Sequence, residues 1–188
     1  MKQFILICAV CSMFIQACLA QQEIKNFQRQ NWSIEAELFQ PFYPTVHIIR
    51  VQALKRITKP ERKFQADFLI GSYIRPNVKH DVVEKINEYM IALGARLYLY
   101  KGLHTDLKSN MGYAWGTRNL IDHKDYNTPT WFWEANIGYK FEFGKSEKFN
   151  LYINPQFGGL GKIIADIGPR NGKPDTFLHG NIILGINF

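Results

Sequence analysis

From Thr130 to Phe143 the side chains alternate without a lapse. Trp131, Trp133, Ala135, Ile137, Tyr139, Phe141 and Phe143 fall on one face of an extended chain. Thr130, Phe132, Glu134, Asn136, Gly138, Lys140 and Glu142 fall on the other. An apolar face backed by a charged one over this length is the pattern of a tilted strand crossing a membrane, lipid on one side and an interior on the other. Trp131 and Trp133 at one end and Phe141 and Phe143 at the other mark the levels of two aromatic girdles.

The last ten residues alternate as strictly. Ile182, Leu184, Ile186 and Phe188 share one face, and Asn181, Ile183, Gly185 and Asn187 the other. A strand placed at the end of the chain is expected to need a partner on both edges, which a closed sheet supplies. Six further segments complete a set of eight. They are Trp32 to Phe39, Thr45 to Leu54, Phe64 to Tyr73, Glu88 to Tyr100, Leu103 to Trp115 and Phe149 to Phe157.

The connections expected outside the cell cover 40–44, 74–87, 116–129 and 158–178. Those on the other side are 55–63, 101–102 and 144–148. Long outside, short inside and an even strand number is the pattern of an antiparallel up-and-down transmembrane β-barrel. Within the second loop, Val82, Val83 and Ile86 predict a helical turn or two over Asp81 to Tyr89. Pro155 falls inside a strand and is expected at a bulge or at the rim. Gly158 to Ile167 reads either as flexible loop or as an extension of the seventh strand.

The other end of the chain predicts export. A basic start (Met1-Lys2-Gln3), an apolar run from Phe4 to Ile15 and the small residues up to Ala20 have the layout of a secretory signal peptide. The expected cut follows Ala20, leaving 21–188 as the barrel; lipidation at Cys18 is the competing reading. Cys8, Cys11 and Cys18 are the only cysteines, so the mature chain has no disulfide and no cysteine-based metal or catalytic site. Losing Lys2 with the leader takes the net charge from +7 to +6, a balance that favours anionic partners.

The inward positions collect Glu35, Glu37, Asp67, Asp106, Glu134 and Glu142 against Arg50, Arg96, Lys108 and Lys140, with His104 beside them. Eight strands enclose a space that side chains fill. A lone buried charge costs several kcal/mol, so these groups are expected to pair and plug the lumen.

From leader to Phe188 the pattern resembles the small eight-stranded outer-membrane barrels of Gram-negative bacteria, and the Phe/Tyr/Asn-rich style is similar to that of Bacteroidetes proteins. The resemblance implies a monomer in the cell outer membrane, in contact with lipid and lipopolysaccharide. It implies too that Ile182, Leu184, Ile186 and Phe188 act as the signal read by the barrel assembly machinery. That signal usually carries an aromatic residue where this chain has Ile186.

Some barrels of this size remodel lipid A, which directs attention to His104, Asp106 and Ser109. Ser109, however, is expected to face lipid while His104 and Asp106 face the lumen, a parity that argues against a working pair. Gln22 to Asn31 is too short and polar for the amphipathic helix of the palmitoyltransferase type. His123 and Asp125 fall short of a metal ligand set, and His47, His80 and His179 stand alone. Gly158-Gly159-Leu160-Gly161-Lys162 lacks the spacing of a phosphate-binding loop.

The expected outer loops carry a basic crown of Arg75, Lys79, His80, Lys85, Arg118, His123, Lys124, Lys162, Arg170 and Lys173, suited to lipopolysaccharide phosphates. The reading is a non-enzymatic, porin-like small barrel that stabilises the envelope or binds a surface ligand through its loops, with no cofactor, metal or nucleic acid. A lipid A-modifying enzyme is the first alternative. A soluble lipocalin-like carrier, with apolar faces turned inward, is the second.

Overall fold

The computed structural model describes residues 30–42, 47–59, 65–143, 149–164, 166–169 and 176–188. The expected leader, with its cut after Ala20 or lipidation at Cys18, lies outside these residues, as do Phe64, the turn 144–148, Arg170 and Lys173.

Period-2 alternation becomes strand in each of the eight stretches, though over fewer residues of the second. The segments are β1 (Trp32–Glu37), β2 (Val51–Arg56), β3 (Gln65–Val78), β4 (Val83–Tyr100), β5 (Leu103–Asn119), β6 (Tyr126–Tyr139), β7 (Phe141–Phe143), β8 (Asn150–Ile164) and β9 (Thr176–Asn187). From β1 to β6 each strand pairs antiparallel with its neighbours in chain order, β8 pairs with β6, β7 and β9, and β9 pairs back onto β1. The short β7 continues β6 beyond Lys140 in the same register against β8, since Gly138 faces Gln156 and Phe141 faces Ile153. The sheet is therefore an up-and-down ring of eight strands. The interruption lies opposite Pro155, which has no N–H to give to the ladder.

Cross-strand pairing also gives the tilt. Followed around the ring from Trp32, the partners are Lys55, Phe68, Ala95, Leu107, Ala135, Gly159 and Leu178. The β9–β1 register then returns level with position 42, about ten residues beyond the start. That stagger over eight strands tilts them by roughly 40° to the ring axis, in the usual range for closed sheets. Side chains fill the interior by pairing small with large. A Cβ on Gly185 would lie 2.2 Å from the Tyr152 ring, so glycine is what lets that tyrosine lie across the wall.

Sidedness follows the sequence reading. Ile34, Val51, Phe68, Ile70, Ile91, Leu97, Leu107, Met111, Ile137, Leu151, Phe157, Ile182 and Leu184 are exposed on the outer surface. Aromatic rings gather at two levels of it. Tyr89, Tyr113, Trp115 and Trp131 lie toward the β3–β4 and β5–β6 hairpin ends, with the Tyr113 and Trp115 ring centres 5.0 Å apart. Trp32, Tyr139, Phe141, Phe143 and Phe188 lie toward the termini, with Tyr139 and Phe141 4.6 Å apart.

Four expectations are corrected. Asp81 to Tyr89 is not helical: β3 runs on to Val78 and β4 starts at Val83, so a tight turn replaces the expected loop 74–87. The loop 116–129 likewise shrinks to 120–125, because β5 extends to Asn119 and β6 begins at Tyr126. The glycine-rich 158–162 is strand within β8, not flexible loop. The first connection errs the other way, since β2 begins only at Val51 and a 3-10 turn (Gln40–Phe42) follows β1.

One physical reason covers the two hairpins. Beyond the upper aromatic level the alternation inverts, with Glu84, Lys85 and Thr117 exposed while Val83, Ile86 and Ala114 are buried inside. An apolar-out template loses the strand where the outside becomes polar.

Candidate functional site

The inward side chains form three polar groups and an apolar end. At the heart of the lowest pair of groups is Arg96, fully buried on β4. Its Nη1 and Nη2 donate to Glu35 of β1 at 2.5 and 2.9 Å, and its Nε and Nη2 to Asp106 of β5 at 2.7 and 2.8 Å. Both carboxylates are thus bound bidentately by one guanidinium, the geometry in which a buried ion pair repays its desolvation.

The remaining lone pairs are met too. Tyr152 donates to Glu35 at 2.6 Å, Gln52 also donates to Glu35, and Gln156 donates to Asp106 at 2.9 Å. His104 closes the group. Its Nδ1 donates to the Gly102 carbonyl at 2.9 Å, which leaves Nε2 as an acceptor 3.3 Å from Gln156 Nε2. Nearer the termini, Lys140 donates to Asn187 at 2.6 Å and stands 3.4 Å from Glu142, with its ammonium 3.9 Å from the Tyr152 ring centre.

Further toward the hairpin end, Glu134 of β6 is the centre. Arg50 and Lys108 each approach its Oε1 at 2.7 Å, Asn136 donates to the same oxygen at 2.7 Å, and His179 Nε2 lies 3.5 Å away. Glu37 accepts from the Ile182 backbone N–H at 3.1 Å. The ten charged side chains expected inside are there: nine are buried, and Glu142 is half-buried near the terminal rim. Asp67 faces Arg96 across the β3–β4 pairing.

Above these groups the interior is mainly apolar, interrupted by the buried Glu88 with Arg75 3.5 Å away. Ile48, Tyr73 and Met90 pack with Phe132 and Leu160. Beyond them Val78, Val82, Val83, Ile86, Ala114 and Ile167 close the mouth, with Tyr126 alongside.

Asn119 ties the two loops over that mouth. Its amide nitrogen donates to the carbonyls of Ile167 and Pro169 at 3.0 and 3.2 Å, and its side-chain oxygen accepts from Ile121 N–H at 2.8 Å. Gly168, at φ 92°, brings the chain against Tyr126, a conformation that favours glycine. In the same turn the Tyr126 hydroxyl donates to Asp122 at 2.5 Å. This bond holds the Asp122 carboxyl below its ordinary range and pushes the Tyr126 phenol above its own.

The residues considered for chemistry do not converge. His104 Nε2 is 3.8 Å from Asp106 inside the ring, whereas Ser109 lies on the outer surface and its hydroxyl accepts from Trp131 Nε1 at 2.7 Å. Asp125 accepts from the Arg118 backbone N–H at 2.7 Å beside His123. Among the described residues no group of three or more His, Cys, Asp or Glu is placed to hold a metal ion.

The basic crown is redistributed as well. Arg75 lies on β3, 3.5 Å from Glu88, and Arg118 on β5, 3.4 Å from Glu84. Lys85 is on β4 and Lys162 on β8, while Lys79 and Lys124 are exposed in turns. Sequence reasoning placed Gln52, Gln156 and Asn187 on the inward face without giving them a part, and left Asn119 in the expected loop 116–129. Inward parity was the available signal for the first three. No family model matches the chain, and no curated protein or solved structure matches it.

Proposed function

We propose that the ring is a transmembrane β-barrel of a Gram-negative outer membrane, plugged by its own ion pairs, which acts as an envelope scaffold and presents its hairpin end as a surface for anionic ligands. The observation that carries this reading is sidedness. A continuous apolar belt faces outward between two aromatic levels, while the paired charges face inward. From Trp131 to Phe143 the belt is roughly 25–30 Å tall at the strand tilt, the height of an outer-membrane apolar band. A soluble carrier of lipocalin type requires the opposite arrangement, and so large an apolar surface would aggregate in water.

The interior favours a scaffold over a pore. Eight strands leave room only for side chains, and here they are buried ion pairs followed by apolar layers. Lys79, Lys85 and Lys124 stand just beyond the upper aromatic level, at the depth of lipopolysaccharide phosphates.

The test is gel mobility of the protein from a membrane fraction, boiled against unboiled. A heat-dependent shift with outer-membrane partitioning is expected. Soluble behaviour without a shift would sink the membrane reading. Steady single-channel conductance in a planar bilayer would sink the scaffold reading while leaving the barrel standing.

A further inference from the structure

Between the Arg96 and Glu134 groups lies a cavity of about 10 Å³, lined by Glu35, Glu37, Arg50, Gln52, Lys108 and Ile183 among others. Two of those residues keep a buried polar atom with no hydrogen-bond partner, the Oε2 of Glu37 and the Nε of Arg50. Glu37 is 7% and Arg50 8% exposed, so bulk solvent does not reach them. Leaving such a donor and acceptor unmet is costly, and native interiors rarely do so. The volume is about that of one water molecule, and a buried water needs two to four polar partners.

We propose that this cavity binds a single water molecule, which accepts from Arg50 Nε and donates to Glu37 Oε2. It would have Glu35 and Gln52 of the lower group on one side, and Arg50 and Lys108 of the upper group on the other. The bound water completes the hydrogen bonding of the upper group where it abuts the lower one. A small anion fits less well, because Glu35 and Glu37 line the site beside the two cations. The inference concerns only the ring interior, so it stands or falls separately from the membrane reading.

The test is a crystal structure of the full chain in detergent, from bromide-soaked crystals, at a resolution that shows ordered water. The expected result is one peak within hydrogen-bond reach of Glu37 Oε2 and Arg50 Nε, without anomalous signal. An empty cavity or a bromide peak overturns the proposal. In Glu37→Leu the peak should vanish and the thermal unfolding midpoint followed by circular dichroism should fall by roughly 5 °C. A peak that persists there means the carboxylate does not hold the water, which also overturns it. If Glu37→Leu does not fold, Glu37→Gln keeps an acceptor oxygen and should keep the peak; its loss in that variant counts against the proposal.

Discussion

The two ends of the ring interior are built on the same wall by opposite chemistry. Toward the termini, Glu35, Arg96, Asp106, Tyr152 and Gln156 fill the space with charge and hydrogen bonds. Toward the hairpins, Val78, Val83, Ile86, Ala114 and Ile167 fill it with hydrocarbon, and a loop residue closes the top. The outer surface inverts in step, apolar around the charged half and polar around the apolar mouth. On the proposed membrane reading, a wall wetted by lipid can carry its polar residues only inside. A wall wetted by water puts its hydrocarbon inside, as any soluble hairpin does.

The charged end should break hardest. Arg96→Met leaves Glu35 and Asp106 facing each other without their cation, at a cost of about 3–5 kcal/mol. Urea or heat midpoints of the unboiled gel band measure it. Replacing Glu35, Arg96 and Asp106 together by apolar residues should recover most of that loss, because no uncompensated charge remains. If the triple variant is as weak as the single one, the pairing account of this end fails.

The apolar end should yield somewhat less. Ile86→Ala removes a side chain that is 1% exposed and should cost about 2–4 kcal/mol on the same assay. Asn119→Ala should act locally, at about 1–3 kcal/mol. Protease should cut the β8–β9 connection sooner, with the heat-modification midpoint little moved. An equal fall in that midpoint would make the mouth and the charged half one cooperative unit.

The smallest effect is a pH dependence confined to the mouth. Asp122 has its folded pKa lowered by the Tyr126 hydroxyl. Its contribution is therefore present above the unfolded value of about 3.9 and is lost as pH falls through the lower folded value. Tyr126 has its pKa raised, so its share is present below about 10 and is lost as pH climbs through the higher folded value. Amide protection of 119–126, taken relative to the intrinsic exchange rate at each pH, should accordingly stay level between about pH 4 and 10 and fall outside it, and Tyr126→Phe should flatten the profile.

Much of this architecture could be read beforehand, for a physical reason. A two-sided wall forces period 2 on its residues, so Thr130 to Phe143 and His179 to Phe188 declared both strand and facing. The same parity placed Glu35, Arg96, Asp106 and Glu134 inside and set Ser109 apart from His104. The hairpin extensions were missed because the template demanded apolar residues outside, and Val82, Val83 and Ile86 imitate one face of a helix. Arg75 and Arg118 were misplaced for the same reason.

Alternation along the chain thus determined the strands, the eight-stranded count and which side chains share the interior, because facing is a local property of extended backbone. Only the tertiary structure decided who pairs with whom. Arg96 meets Glu35 across 61 positions of sequence, and Tyr152 meets the same carboxylate across 117. Those partnerships depend on how far the register slips around the closed ring. A slip of two residues on any strand preserves every facing and changes every partner.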